Sequence, residues 1–405
     1  MVDPALRTAL QAFLAEGLDD YLAILEEWVA INSFTANAEG VNALGAATAA
    51  GFTRLGFREE RIPSATQGFG DHFVLTRPGN GGPAIGLVSH LDTVFPSGEC
   101  AANDFAWRID GDRVFGPGTV DIKGGTLIIY MVLDTLRRFR PDDFDRVTWT
   151  VLLDASEETL SEDFGTLCLD RLAGAAACLV FEGGFYDEGV FKLVYTRKGM
   201  AKFRVRATGR AAHAGAAHAD GANAIVGLSA AIGEIAGFTD YDREITFNVG
   251  FVTGGTVPNR VPHAAEALGE MRAFDDDVFR IGLERLTGLA GEMTANGSST
   301  EIHVDVLDTT PPWPKNERTA ALMEVWSGTA EALGWRIVPE ARGGLSDGNH
   351  TWSQIPTLDG LGAGGGNAHC SEQDPAAGKE QEYLYLPSLI PKTVLNFFSI
   401  LNLIQ

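Results

Sequence analysis

Histidine and acidic residues directly follow several apolar runs of the chain. His90 and Asp92 come after Ala84–Val88, and Glu182 comes after Ala177–Phe181. The other members of the set are Asp121, before a helical pattern, and Glu157 and Glu158, after Val147–Leu153. Carboxylates gathered at the carboxyl ends of neighbouring strands repel one another unless a cation is present, so a bound metal ion would explain the whole set. The set therefore predicts a metal site.

Each of these residues also has a simpler structural interpretation when it is taken alone. His90 and Asp92 could be polar residues of a turn, and Asp121 could cap the N-terminus of the helix that follows it. Glu157 and Glu158 could form a solvated helix start. Only the recurrence of such residues at successive strand ends favours a shared cation.

The elements that would position these residues alternate between strands and helices. Apolar residues recur at three- and four-residue spacing over residues 6–30 and over Gly125–Phe139, which predicts helices in both places. Strands are predicted at Ala84–Val88, Val147–Leu153 and Ala177–Phe181. This alternation predicts an α/β fold with a largely parallel sheet, whose ligands would bind beyond the carboxyl ends of the strands.

The pattern changes near Gly199, where Lys202–Thr208 alternates with period two, as a half-exposed strand does. A helix, two strands, a helix and a strand follow: Ala222–Ile235, Glu244–Val252, Ala264–Arg272, Asp277–Ala290 and Glu301–Val306. This split βαβ order predicts a ferredoxin-like domain at residues 199–310. It would be inserted into a larger domain of residues 1–198 and 311–405, with the segment 311–314 as the linker back.

The composition is that of a folded, acidic protein. Its 405 residues favour two domains, and 54 acidic against 31 basic residues give a net charge of −23. Such a surface repels phosphate backbones and anionic lipids, so neither nucleic acid nor a membrane is an expected partner. The four cysteines form no C-x-x-C pair, the first residues lack a secretory-signal pattern, and no apolar stretch is long enough to span a membrane. We therefore expect a cytoplasmic protein with free thiols.

Six motifs occur in an order that is typical of one enzyme family: HLDTV, GPGTVDIKGG, SEET, FEGG, GRAAHAG and NAHCSEQ. In these motifs, and over nearly its whole length, the chain resembles the dinuclear zinc exopeptidases of the aminoacylase and carboxypeptidase G type. The resemblance implies an α/β catalytic domain with a mixed, largely parallel sheet flanked by helices, plus an inserted ferredoxin-like α+β dimerisation or lid domain. It also implies two Zn²⁺ ions per subunit, for which Co²⁺ or Mn²⁺ could substitute, and a homodimer through the inserted domain.

The resemblance assigns the metal ligands. Asp121 matches the aspartate that bridges the two ions. His90 and Glu182 would complete the site of one ion, and Glu158 and His369 would complete the other.

It also assigns catalytic groups around the ions. Glu157 matches the general base, which takes the proton of water and passes it to the leaving nitrogen. Asp92 matches the acid that orients the ligand histidine, and an extended chain points His90 and Asp92 to the same side. His213 matches the histidine that stabilises the tetrahedral oxyanion, often in the active site of the partner subunit.

Three residues are expected to bind the substrate, which would be an N-acyl amino acid or a peptide. Asn259 and Arg272 match positions that hold its free carboxylate, and Lys192 aligns with a lysine that contacts glutamate in carboxypeptidase G. An ordinary strand lysine is the alternative for Lys192. The expected reaction is hydrolysis of an amide next to a free carboxylate, foremost by a glutamate carboxypeptidase. An N-acyl-amino-acid deacylase or a dipeptidase is the alternative within the family.

Two further alternatives lie outside this chemistry. Ser346 in GLSDG fits the G-x-S-x-G nucleophile elbow of serine hydrolases, but that motif needs a preceding strand, and the residues before Ser346 are a poor strand end. The chain could also be a binding scaffold that has lost its activity. The presence of all five ligands, the base and His213 argues against a scaffold.

Overall fold

The helices and strands follow the apolar patterns of the sequence closely. A computed structural model describes residues 2–159, 162–295 and 297–405. Within these ranges the helices are α1 (Pro4–Glu16), α2 (Leu18–Ala30), α3 (Ala38–Thr53), α4 (Ser97–Ala102), α5 (Gly124–Phe139), α6 (Pro141–Arg146), α7 (Glu162–Arg171), α8 (Ala224–Ala236), α9 (Asp276–Thr287), α10 (Glu317–Ala332), α11 (Gly348–Thr351) and α12 (Leu389–Leu403).

The strands are mostly short, and each strand predicted from the sequence overlaps one of them. They are β1 (Arg58–Pro63), β2 (Asp71–Arg77), β3 (Ala84–His90), β4 (Arg108–Asp110), β5 (Arg113–Phe115), β6 (Thr148–Asp154), β7 (Ala177–Val180), β8 (Phe185–Asp187), β9 (Val190–Arg197), β10 (Gly199–Thr208), β11 (Thr246–Gly254), β12 (Ala264–Ala273), β13 (Gly291–Ala295), β14 (Ser298–Thr310), β15 (Arg336–Arg342), β16 (Thr357–Leu358), β17 (Gly365–Gly366) and β18 (Tyr383–Tyr385).

The chain divides into two compact units. Met1–Tyr195, Lys315–Ala341 and Ser346–Gln405 form the first unit. Thr196–Pro314 and Arg342–Leu345 form the second. The second unit is therefore an insertion in the sequence of the first.

The first unit is built on a six-stranded mixed sheet with the order β1-β2-β6-β3-β7-β16. The strands from β6 to β16 are parallel to one another, whereas β1 and β2 pair in antiparallel fashion at one edge. His90 of β3 lies opposite Asp154 of β6, and Val88 of β3 lies opposite Val180 of β7. Because these three strands end side by side, the segments that follow them emerge at the same edge of the sheet.

Helix α5 is buried along most of its length, and its first turn lies close to the end of β7. A Cβ atom added at Gly125 would lie 2.0 Å from the carbonyl oxygen of Phe181. Only glycine permits this approach, since every other residue carries a Cβ. The start of α5, with Asp121 just before it, is thereby held against the carboxyl end of β7.

The second unit is an antiparallel sheet with the order β11-β12-β10-β14-β13. Helices α8 and α9 pack on it through a shared core that includes Phe203, Leu228, Met271 and Phe279. Four of its strands have the order of a ferredoxin-like sheet, whereas the short edge strand β13 was not expected from the sequence. The predicted fold class, an α/β unit with an inserted α+β unit, is confirmed.

The two ends of the inserted segment lie side by side. Trp313, which the sequence pattern places in a linker, is fully buried. Its backbone exchanges hydrogen bonds of 2.9 and 3.0 Å with Arg197. The segment 311–314 therefore packs as part of the second unit, which extends to Pro314.

No helix in the described ranges has both the length and the apolar composition that a membrane span requires.

Candidate metal centre

Five segments of the first unit bring histidines and carboxylates together. His90 ends β3, Asp121 lies just before α5, and Glu157 and Glu158 follow β6. The other two residues of the cluster are Glu182, which follows β7, and His369, from the loop between β17 and β18. Donor atoms of His90, Asp121 and Glu158 lie within 4.8 Å of one another. The common edge of the parallel strands explains why residues so distant in sequence meet here.

The carboxylate of Asp121 lies between two histidines. Its Oδ1 atom is 3.2 Å from Nε2 of His90, and its Oδ2 atom is 3.3 Å from Nε2 of His369. Each oxygen thus faces a different imidazole. A carboxylate in this position can be shared between two cations.

A further carboxylate lies beside each histidine. Oε1 of Glu182 is 3.7 Å from Nε2 of His90, and Oε2 of Glu158 is 3.1 Å from Nε2 of His369. The cluster therefore has two halves, one with His90 and Glu182 and the other with His369 and Glu158. Asp121 lies between the halves, which is the division that the sequence resemblance implies.

Glu157 lies among the charged groups of the cluster. Burial raises the pKa of its carboxyl well above the ordinary value. The positive charge of His90 acts in the opposite direction, and the neighbouring Glu182 and Glu158 add to the rise. Burial and the neighbouring carboxylates therefore favour the neutral form of this carboxyl, which a cation nearby would oppose.

Asp92 is fully buried and connects the end of β3 to the turn that carries the two glutamates. Its Oδ1 accepts the backbone N–H of Glu157 at 3.1 Å, and its Oδ2 accepts the backbone N–H of Glu158 at 3.3 Å. The hydroxyl of Thr35 also donates to Oδ2, at 2.6 Å. Nδ1 of His90 lies 3.4 Å from Oδ1 and 3.0 Å from the carbonyl oxygen of Asp92. Asp92 therefore orients the glutamate turn as well as the histidine.

The donor set fits divalent metal ions with nitrogen and oxygen ligands. Oε1 of Glu158 is buried and has no hydrogen-bond partner among the described residues. Burial alone would lower the pKa of His90, but Asp121 and Asp92 outweigh it and raise that pKa. Hydrogen bonds to Asp121 and Glu158 raise the pKa of His369 to about 11. The carboxylates thus attract positive charge strongly, and imidazole with carboxylate ligands suits zinc in particular.

In the second unit, His213 and Asn259 lie on adjacent segments. The backbone at His213 bridges to that of Arg260, and the N–H of Ala214 donates to the carbonyl oxygen of Asn259 at 3.0 Å. Nδ1 of His213 accepts the backbone N–H groups of Gly215 and Ala216, each at 3.1 Å. An accepting Nδ1 leaves the ring proton of a neutral imidazole on Nε2. His213 therefore presents an N–H donor on an exposed loop.

Both cations that the sequence suggests for substrate binding contact acidic residues. Arg272 donates to Glu270 through Nε and Nη2, at 2.9 and 3.2 Å, and to the carbonyl oxygen of Gly343 at 3.0 Å. Nζ of Lys192 lies 3.4 Å from Oε1 of Glu340. Within the described residues, Lys192 forms no hydrogen bond or ion pair with the histidine and carboxylate cluster. A substrate carboxylate would have to replace these internal partners.

Ser346 lacks the surroundings of a catalytic serine. Strand β15 ends at Arg342, so no strand leads directly into Ser346. Its buried hydroxyl donates to Asp359 at 2.8 Å and accepts the N–H of Gly348 at 3.2 Å. These contacts give the hydroxyl a structural role, and the geometry of a nucleophile elbow is missing.

The sequence pattern did not indicate three buried acids near the cluster. Asp154 ends β6 opposite His90, so its position at a strand end was a usable signal. Asp347 lies in a loop, and burial together with Asp154 and Glu157 raises its pKa well above the ordinary value. Glu382 just precedes β18, where neither periodicity nor spacing points to the site.

Comparison with known proteins places the chain among metallopeptidases. Residues 195–295 match the M20 peptidase dimerisation domain. The chain is 30% identical to carboxypeptidase G2 of a Pseudomonas species over 352 residues, which cover 86% of this chain and 83% of that relative. It is also 24% identical to acetylornithine deacetylase of Edwardsiella ictaluri over 322 residues, which cover 74% of this chain and 79% of that enzyme.

Solved structures share the fold. Aminopeptidase PepT of Bacillus cereus superimposes with a TM-score of 0.74 and 21% identity, covering 95% of this chain and 98% of that chain. An M20 family metallo-carboxypeptidase of Sulfolobus solfataricus gives a TM-score of 0.71 and 17% identity, with the same coverage of 95% and 98%. These two structures support the fold alone, whereas the identity with carboxypeptidase G2 extends over most of both chains. The chain therefore belongs to the M20 family of metallopeptidases, and it is a peptidase or amidohydrolase rather than a binding scaffold.

Proposed function

We propose that the protein hydrolyses an amide bond next to a free carboxylate at a centre of two zinc ions. The position of Asp121 carries this proposal, because each of its carboxylate oxygens faces a different histidine. His90 and Glu182 would hold one ion. Glu158 and His369 would hold the other, and Asp121 would be shared. Co²⁺ and Mn²⁺ also accept such nitrogen and oxygen ligands.

Glu157 would carry out the proton transfers of the reaction. When bound, zinc supplies Lewis acidity, which polarises a carbonyl group and lowers the pKa of water. Glu157 takes the proton of the attacking water as the water oxygen bonds to the amide carbon, and it delivers that proton to the nitrogen as the C–N bond breaks. Asp92 accepts the backbone N–H of Glu157 and so fixes the base in place.

His213 would stabilise the negative charge that develops on the carbonyl oxygen. The hydrogen bonds to its Nδ1 support this role, since they leave Nε2–H as the donor. We place the subunit contact of a homodimer in the inserted domain, residues 199–310, which includes most of the segment 195–295 that matches the dimerisation domain. In such a dimer, His213 would act in the active site of the partner subunit.

Glutamate is the amino acid that we expect to be released. The similarity to carboxypeptidase G2 over most of the chain supports this assignment. Arg272 and Asn259 would hold the α-carboxylate, and Lys192 would hold the side-chain carboxylate. Each cation would exchange an internal acid, Glu270 or Glu340, for the substrate. The similarity to acetylornithine deacetylase favours an N-acyl-amino-acid deacylase as the second candidate, and a dipeptidase is the third.

A panel of three substrates tests the assignment on zinc-loaded protein: folate as an N-acyl-glutamate, N-acetylmethionine as a neutral N-acyl amino acid, and a neutral dipeptide. We expect glutamate release from folate that stops with a chelator and returns with zinc. Lys192→Met should raise KM for folate and leave any hydrolysis of N-acetylmethionine unchanged. Hydrolysis of the neutral substrates alone would reject glutamate and keep the zinc hydrolase, whereas hydrolysis of none would contradict the proposal.

A further inference from the structure

Glu382 is a buried acid whose carboxyl is hydrogen-bonded to the backbone at Asp121. Its side chain is 0% exposed. Its Oε1 atom accepts the backbone N–H of Val120 at 3.0 Å and that of Asp121 at 3.3 Å. The backbone at Asp121 and Ile122 is not helical, with φ −125° and −137°. Val120 and Asp121 are among the first residues of the short turn Thr119–Lys123, whose N–H groups find no acceptor within the turn. They therefore depend on a side chain for an acceptor, since an unpaired buried N–H is costly.

The backbone of Glu382 is hydrogen-bonded to the loop that carries His369. The N–H of Glu382 donates to the carbonyl oxygen of Cys370 at 2.7 Å. Cys370 is the neighbour of His369, whose side chain is 53% exposed and whose φ of +66° is unusual for a residue other than glycine. An exposed side chain has few packing contacts to fix it, so the position of His369 depends on how its loop is held.

The residue before Glu382 strengthens this attachment. Nε2 of Gln381 donates to the carbonyl oxygens of Ser371 and Asn103, at 2.9 and 2.8 Å, and its Oε1 accepts from Arg108 at 2.6 Å. Glu382 itself runs directly into β18, which pairs with β5. The segment 381–382 is thus fixed by the sheet on one side and by the His369 loop on the other.

We propose that Glu382 is a positioning residue of the metal centre, because it sets the separation between Asp121 and His369. Glu382 is hydrogen-bonded to both ligand segments. Its carboxyl accepts from the Asp121 segment, and its backbone N–H donates to the His369 loop at Cys370. The inference rests on the proposed metal centre, in which Asp121 and His369 are both ligands. Glu382 itself need not touch a metal ion or the substrate, so its effect should appear in the affinity for metal.

Two conservative variants distinguish the effect of the position of the Glu382 side-chain oxygen from the effect of its charge. Glu382→Gln keeps an oxygen acceptor at the same reach and removes the charge, whereas Glu382→Asp keeps the charge and draws the acceptor back by one methylene. The control is Ser388→Ala in the segment that follows β18. The hydroxyl of Ser388 accepts the backbone N–H of Gly364 at 2.9 Å but contacts neither ligand segment. The control therefore also removes one buried acceptor from a backbone N–H.

The readout is the zinc affinity of metal-stripped protein, measured by competition with a chromophoric chelator, together with the melting temperature of the metal-free form. We expect Glu382→Asp to weaken zinc binding by about 10–100-fold, as is usual when a partner of a ligand is lost, and Glu382→Gln to stay within about threefold of the wild type. Ser388→Ala should lower the melting temperature of the metal-free form and leave the zinc affinity unchanged.

Wild-type zinc affinity in Glu382→Asp would overturn the inference, as would an equal loss in Glu382→Gln or in Ser388→Ala. A wild-type protein that binds no zinc would overturn the proposed function and this inference with it. Failure of the inference alone is therefore distinguishable, because the wild type would then still bind zinc.

Discussion

At the scale of single residues, the proposed chemistry depends most on Glu157. Glu157→Gln keeps the shape of the side chain and removes its ability to accept a proton. We expect kcat to fall by about 10²–10⁴-fold, the usual contribution of a general base, with the zinc content unchanged. Steady-state kinetics and elemental analysis of the same sample check this. Near-normal turnover would refute the assignment, and loss of zinc would show that Glu157 is a ligand instead.

Asp92 contacts His90 and accepts hydrogen bonds from the turn that carries Glu157 and Glu158. We therefore expect the zinc affinity to be sensitive to a conservative substitution of Asp92. In Asp92→Asn, an amide NH₂ replaces one of the oxygens that accept from Glu157 and Glu158. We expect the zinc affinity to fall by about 10–100-fold. Thr35→Val is the matched control, because it removes only the hydroxyl that donates to Asp92. An equal loss in both variants would contradict the importance of the turn contacts.

We expect His72 to make the stability of the protein depend on pH. Burial alone would lower the pKa of His72, but its contacts with Asp154 and Asp163, each at 3.1 Å, outweigh burial and raise it. Because the folded protein holds this proton more tightly than the unfolded chain, the contribution is complete below about pH 6.5, the pKa in the unfolded chain. It is lost as the pH rises through the raised pKa.

The free energy of unfolding of His72→Gln should therefore differ from that of the wild type most at low pH, and the difference should shrink as the pH rises. Urea titrations at a series of pH values measure it. A difference for His72→Gln that is constant with pH would refute the role of the ion pairs.

The site residues that could be predicted from the sequence are those with a recognisable local pattern beside them. His90 and Glu182 follow apolar runs, and a strand end is visible in a sequence. Thr35 donates to Asp92 across 57 positions, and no local pattern connects the two. The pairing of Arg272 with Glu270 was open to prediction, because residues two apart on a strand point to the same face.

At the scale of elements, the position of α5 depends on the absence of a side chain at Gly125. In Gly125→Ala the new Cβ would collide with the carbonyl oxygen of Phe181, 2.0 Å away. The helix must then move away from β7 and carry the Asp121 segment with it. We expect a lower melting temperature together with weaker zinc binding.

Gly233→Ala on α8 is the matched control, since nothing lies within 4 Å of a Cβ at that position. Because alanine favours a helix over glycine, this variant should gain about 0.5–1 kcal/mol of stability. Thermal unfolding of both variants tests the comparison. Equal effects would contradict the close approach at Gly125.

The longer elements were predictable because apolar periodicity extends over several residues. Strands β3, β6 and β7 and helix α5 are such elements, and their parallel pairing explains why the cluster forms at one edge. Strand β13 lacks an apolar alternation, and its pairing with β14 was not visible in the sequence. The small sheet β17-β18-β5-β4 joins segments far apart in the chain, so the place of His369 beside Asp121 came only from the motif resemblance.

At the scale of the whole molecule, the assembly is the next property to test. Strand β11 is an edge strand of the second unit, and Phe251 and Val252 on it are 53% and 54% exposed. Apolar side chains on an unpaired strand edge are typical of a surface that pairs with another chain. We expect the wild type to sediment as a dimer and Phe251→Glu to sediment as a monomer.

The monomer should also lose activity, because His213 would no longer reach the active site of a partner subunit. Ile109→Glu is the control, since Ile109 is an equally apolar, exposed residue of the first unit and should leave the dimer intact. Sedimentation velocity with parallel activity measurements decides the matter. A fully active monomer would contradict the action of His213 across the dimer.

The most direct test of the central claim is a crystal structure of the zinc-loaded protein with anomalous scattering recorded at the zinc absorption edge. We predict two anomalous peaks on either side of the Asp121 carboxylate. One peak should lie beside His90 and Glu182, and the other beside Glu158 and His369. A single peak, or peaks away from these side chains, would contradict the dinuclear centre.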